Sequence, residues 1–174
     1  MTIRSYRYVG PADLAAHAGA ATMGHAIHTA SDFASWAARR TAAEFAEPFT
    51  FVVDLTGLLR LAPRRTEHVA CAGGARVLAA GEIAFAHDAA SPSGWRVTEV
   101  TNHSTGYCPE PTCWPAVSRS LHRAALPHPA SFTHALTFRR CEHCHQPNIV
   151  REDDWYCAFC DTELPRHWNV DPSA

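Results

Sequence analysis

Cys141-Glu142-His143-Cys144 and Cys157-Ala158-Phe159-Cys160 decide how the C-terminal part of this chain folds. Two C-x-x-C pairs, with twelve residues between Cys144 and Cys157, bring four thiols into one short stretch. Each pair predicts a tight knuckle in which two thiolates converge. Two knuckles then offer four sulfurs at tetrahedral geometry, with metal–sulfur bonds near ~2.3 Å. Cys141, Cys144, Cys157 and Cys160 are therefore expected to hold a structural Zn2+. Between them, Ile149-Val150 and Trp155-Tyr156 are strand formers flanking Arg151-Glu152-Asp153-Asp154, which suits a hairpin with an acidic turn. Four thiolates close the coordination shell and leave no position for water, so the metal is expected to serve folding, not catalysis.

This is the form of a zinc ribbon. A rubredoxin-like iron site uses similar knuckles, but the glycine usual after each one is replaced by His145 and Asp161. The whole chain resembles uncharacterised bacterial proteins that end in the same kind of ribbon, a similarity that implies no activity.

Upstream of the ribbon, composition sets the bounds. A chain of 174 residues with 47% hydrophobic side chains suits one compact domain, or one domain with the ribbon as a small appendage. The division expected is an α+β domain over residues 1–138 and a ribbon over 139–174, packed directly on it because no linker separates them. The formal net charge of −2 gives no general attraction for nucleic acid or acidic membranes. No apolar run is long enough to span a bilayer, and Met1 to Arg7 lack the apolar stretch of a signal peptide. Seven cysteines, four of them assigned to metal, do not make a secreted disulfide framework. A cytoplasmic protein is expected. All fifteen basic residues are arginine. With so much alanine, that points to a GC-rich bacterial genome, and it excludes lysine chemistry such as Schiff bases and P-loops.

The pattern along the chain predicts an α+β fold, a mostly antiparallel sheet with flanking helices. Ser31 or Asp32 should cap a helix reaching about Ala46, with Phe33, Trp36 and Ala37 on its buried face. Phe49, Phe51, Val53 and Leu55 alternate inward, and Leu58 to Leu61 continue the apolar run. Val77 to Ala86 and Trp95 to Thr101 are the next strands, in what reads as a meander. A helix comes next, from Trp114 to about Leu126. Phe132 to Phe138 is expected as a fourth strand entering the first knuckle, and Trp168 is expected to fold back on the ribbon. His17, His25 and His28 form no metal-binding frame.

The stretch from Asn102 to Pro111 concentrates an amide, an imidazole, hydroxyls, a phenol, a thiol and a carboxylate between a strand and a helix, where functional groups are often placed. Asn102, His103, Tyr107 and Cys108 are the candidate catalytic residues. In the sharpest version Cys108 is a thiolate held by His103, His122 or His134. Cys108 and Cys113 with His103 and His122 form a possible second metal site, and a purely structural corner anchored by the Tyr107 hydroxyl is the plain alternative. Residues 102–109 loosely resemble an element with Ser-Gly-His-Tyr at its heart, found in bacterial toxin and effector domains. Asn102, Ser104 and Tyr107 match it, while Thr105-Gly106 departs from its Gly-His pair. That resemblance implies an enzyme acting on a nucleotide or protein substrate.

Three functions remain open at this point. One is an interaction module with a protein partner at the ribbon and the loop. The second is that effector-type enzyme. The third is nucleic-acid binding through Arg139, Arg140, Arg151 and Arg166, which the acids of the ribbon disfavour.

Overall fold

The apolar run from Phe49 forms the centre of a five-stranded antiparallel sheet in the computed structural model, which describes residues 3–171. The first two residues of the N-terminal stretch and the last three of the tail lie outside the described residues. In chain order the elements are α1 (Ala12–Ala16), β1 (His25–Ile27), α2 (Ala30–Ala37), α3 (Ala42–Phe45), β2 (Phe49–Asp54) and β3 (Leu59–Ala62). They continue as α4 (His68–Cys71), β4 (Val77–His87), β5 (Trp95–Val100), α5 (Trp114–Arg123), β6 (Thr137–Arg140) and β7 (Pro147–Val150).

The mixed helix and strand composition and the antiparallel sheet agree with the sequence reading, but the strand order is β1-β3-β2-β4-β5 and not a simple meander. β2 explains the difference. Thr50 and Val52 are buried as well as Phe49, Phe51 and Val53, so the strand is covered on both faces and takes partners on both edges. Leu55, expected inside, lies beyond the strand and is 54% exposed. The chain reverses there because Gly57 takes φ 81° and the Asp54 carboxylate gathers the N–H groups of Thr56 and Leu58. Arg60 Nε then donates to Asp54 Oδ2 at 2.8 Å, which locks the β2–β3 hairpin.

The helix expected to reach Ala46 is divided in two. Thr29, not Ser31 or Asp32, caps α2 by accepting the Asp32 N–H. Thr41 accepts the Glu44 N–H in the same way and starts α3 afresh. The buried face is as expected: Phe33 packs on Phe85 with centroids 4.8 Å apart, and Trp36 on Phe49 at 4.9 Å.

Gly81 and Thr101 control how the chain leaves the sheet. Thr101 N–H donates to Glu82 O at 2.9 Å, and the Thr101 carbonyl lies so close over Gly81 that a methyl group there would overlap it. This crossing carries the chain from β5 into the polar stretch beginning at Asn102. The segment from Phe132 is not a fourth strand of the sheet. Thr133 instead clips it to the end of β5 through Val100, and only Thr137–Arg140 is strand, pairing with β7 in a separate two-stranded sheet. β7 therefore pairs with β6 and not with Trp155-Tyr156. Tyr156 makes an isolated bridge with Glu163 instead. Among the described residues, no helix is long and apolar enough to cross a membrane.

Gly81→Ala should lower stability by at least about 1–3 kcal/mol, because the obstacle is backbone and not a side chain that can turn away. Urea unfolding checks it, and an unchanged midpoint would contradict the crossing.

Candidate metal centre and the adjoining loop

Two knuckles with matching backbone bonds present the four cysteines. In the first, Cys141 N–H donates to Gln146 O at 3.0 Å and His145 N–H to Cys141 O at 3.0 Å. In the second, Cys157 N–H donates to Thr162 O at 2.8 Å and Asp161 N–H to Cys157 O at 2.9 Å. His145 and Asp161 occupy equivalent turning points with φ 61° and 59°, the left-handed region in which a residue with a Cβ is disfavoured. All four sulfurs lie within 4.8 Å of one another, and the Cys141–Cys160 and Cys144–Cys157 separations are 3.5 Å. Those spacings bracket the ~3.8 Å edge of a tetrahedron with ~2.3 Å metal–sulfur bonds. The group is placed to bind a metal ion.

The surrounding donors suit thiolates. Hydrogen bonds from the Thr162 side chain and backbone pull the Cys160 thiol down to about 5. Cys157 is lowered too: its desolvation works the other way, but the Phe159 and Cys160 backbone and Asn148 Nδ2 outweigh it. Cys144 is pushed up to about 12, since a hydrogen bond from the Gln146 backbone that favours its thiolate is outweighed by desolvation and the neighbouring sulfurs. Four sulfurs this close cannot all carry charge without a cation between them.

The loop from Asn102 is adjacent, and its polar groups are largely engaged by backbone. Asn102, fully buried, accepts Leu136 N–H at 2.7 Å through Oδ1 and donates through Nδ2 to Leu136 O and Pro109 O, both at 2.8 Å. Tyr107 is buried and its hydroxyl donates to Ala75 O at 2.6 Å; burial raises its pKa. Cys108 Sγ donates to Thr105 O at 3.2 Å, and burial pushes this thiol up to about 12. Among the described residues no imidazole reaches it, so the Cys108–histidine pairing considered from the sequence is not assembled. His103 has a buried Nε2 without a hydrogen-bond partner among the described residues. Desolvation, aided by His134, lowers its pKa against the pull of Glu82. Cys113 is likewise a buried thiol pushed up to about 12, and the only three-or-more-residue metal-ligating group among the described residues is the four-cysteine one.

Sequence reasoning missed the contacts that join loop and ribbon. Arg139, expected as a surface cation near the metal, is 4% exposed. Its guanidinium pairs with Glu110 Oε1 at 2.9 Å and donates to the carbonyls of Pro165, Phe138 and Arg166. Trp168 does not fold onto the ribbon. It is buried edge-on to Tyr6 at 5.4 Å and donates from Nε1 to Cys108 O at 2.9 Å. The only sequence sign of this was a tryptophan beside Val170 in an otherwise polar tail.

Between loop and ribbon lie two cavities of about 340 and 350 Å3, with Thr105, Cys108 and Pro147 as their shared wall. The first is completed by Phe138, Ile149, Arg151 and Phe159 among others, the second by Val9, Arg140, His145 and Val170. Neither is lined by Asn102, His103 or Tyr107, so these three do not meet Cys108 in a common cleft there. No protein-family model, curated protein or solved structure matches this chain.

Purified protein should contain one metal ion per chain, lost in Cys157→Ala and kept in Cys108→Ala; elemental analysis of the three proteins decides it, and loss with Cys108 would place the loop in the metal site. Asn102→Ala should cost about 2–4 kcal/mol in chemical unfolding with metal content unchanged, because it strands buried backbone groups.

Proposed function

We propose that this chain is a zinc-binding interaction module in which a structural Zn2+ closes the ribbon and the seam between ribbon and loop receives an extended segment of a partner protein. Zinc is favoured over redox iron because His145 and Asp161 stand at the two turning points where an iron knuckle carries glycine. The paired cavities sharing Thr105, Cys108 and Pro147 are the observation that carries the docking reading. Cys108, at the middle of that ridge, is held at φ 47°, a strained backbone position of the kind that accumulates at binding sites.

Charge selects the occupant. Arg151 and Arg140 are the only fully charged side chains lining the two cavities, and neither guanidinium has an ion-pair partner among the described residues. The acids of the 152–154 turn line neither cavity. Phe159 stands at the rim, 66% exposed, an aromatic anchor of the kind that dominates binding energies. The matching segment carries apolar side chains flanked by carboxylates. A reducing bacterial cytoplasm suits the module, since Cys71, Cys108 and Cys113 are free buried thiols and the composition is alanine-rich without lysine.

Selection from a random peptide library should enrich apolar residues flanked by Asp or Glu. Binding of the selected peptide should weaken at least about tenfold in Arg151→Glu and in Phe159→Ala, with metal content unchanged. Selection of no peptide, with salt-sensitive binding of short nucleic acids, would replace this reading with the nucleic-acid one. Turnover of a nucleotide or protein substrate, lost on changing His103, would replace it with an enzyme.

A further inference from the structure

We propose a second metal site, at the end of α5, in which His122 and His128 with the Ser118 hydroxyl hold a divalent transition ion that prefers imidazole. Ser118 and His122 stand one turn apart on the helix, and the chain reverses through Pro127-His128-Pro129 to bring the second imidazole against them. His122 Nδ1 and His128 Nε2 are 3.2 Å apart. Ser118 Oγ is 3.4 Å from the first and 3.5 Å from the second.

That triangle is long for hydrogen bonds from a hydroxyl, which close to about 2.8 Å. It is close to the spacing of neighbouring ligands around a four-coordinate ion. With metal–ligand bonds of ~2.0–2.1 Å, the tetrahedral edge is about 3.3–3.4 Å.

The proton on His128 is placed independently of that triangle. Its Nδ1 lies 2.6 Å from the Pro129 carbonyl oxygen. A carbonyl only accepts, so the ring proton is on Nδ1 and the lone pair of the neutral ring is on Nε2, the atom at the triangle. Metal-binding histidines are oriented in this way, by donating the other ring N–H to a backbone carbonyl. Trp114 fixes the ring plane further, edge-on at 5.6 Å. His122 is different: its Nδ1 is 2.9 Å from Ser118 O and holds the proton in the unloaded state. Loading transfers that proton to Nε2, a change of tautomer without a change of charge; the bond to the Ser118 carbonyl breaks, and the ring turns its Nδ1 lone pair from that oxygen to the ion. One nitrogen pair and a hydroxyl leave a coordination position for water, so this ion exchanges, unlike one enclosed by four thiolates. The imidazole pair suits ions such as Ni2+, whereas the four thiolates suit softer ions.

The test uses the full chain with its ribbon loaded with zinc. Ni2+ is titrated by calorimetry, and zinc is measured before and after. One Ni2+ should bind per chain with zinc retained. Binding should weaken at least about tenfold in His122→Ala and in His128→Ala, several-fold in Ser118→Ala, and not at all in His143→Ala beside the ribbon. His122 is exposed, so its replacement leaves the core intact, and retained zinc verifies the fold of each variant. No Ni2+ uptake, uptake only with release of zinc, or equal uptake by wild type and His122→Ala would each overturn the site.

Discussion

A guanidinium withdrawn from water must find a partner for its charge and acceptors for its N–H groups, and Arg139 finds both at the junction of three chain segments. Glu110 supplies the charge from the entry to α5, Phe138 supplies a carbonyl from β6, and Pro165 and Arg166 supply carbonyls from the tail. Trp155 and the Arg166 guanidinium stack nearby, with Arg166 4.3 Å from the Trp155 ring centroid. Removing one member of a buried pair strands the other, at a cost of about 3–5 kcal/mol in comparable cases. The seat of the cysteine-bearing segment against the rest of the chain therefore rests on a planar fork that reaches several acceptors at once, which an ammonium group cannot imitate.

Ribbon and sheet are stabilised by different means, and the seam between them inherits properties of both. The sheet has an aromatic core in which Trp36 meets Phe49 and Phe85 edge to face and Phe33 packs tilted on Trp36 and Phe85. The ribbon has only a small cluster around Cys141, Cys157 and Leu164, too little to hold itself by burial. A metal ion held by the four cysteines would replace the missing core. Asn102, Tyr107 and Trp168 then tie the loop to backbone on three sides, which makes it a rigid wall. A surface tied down in this way would lose little conformational freedom on binding a ligand.

The parts legible in the sequence were those governed by local spacing. The cysteine pairs announced their cluster, and the period-two runs announced antiparallel strands. The features that escaped depended on distant partners. Nothing near Arg139 in sequence indicates that Glu110 would neutralise it. The order of the strands comes from β2 being buried on both faces, whereas Thr50 in its middle suggests one wet face; its hydroxyl is instead absorbed by the carbonyls of Arg64 and Thr66. The polar stretch from Asn102 looked like chemistry because a catalytic amide and a structural one are the same residue. Only the positions of Leu136 and Pro109 show which groups this one serves. Thr41 was readable as a cap, but the surrounding alanines masked it as the interior of a longer helix.

The closure of the early chain against its late segments has a consequence for biosynthesis. Tyr6 packs on Trp168, and Arg7 bonds Asp171 across 164 positions of sequence. During translation Tyr6 and Arg7 emerge long before Trp168 and Asp171, while the sheet can form in between. A nascent chain paused before Trp168 lacks the ring that packs on Tyr6 and the indole N–H that bonds the Cys108 carbonyl, so both are uncovered. Final closure therefore waits on the latest-made of these segments, and until they arrive the chain displays surface that aggregation and proteolysis can reach.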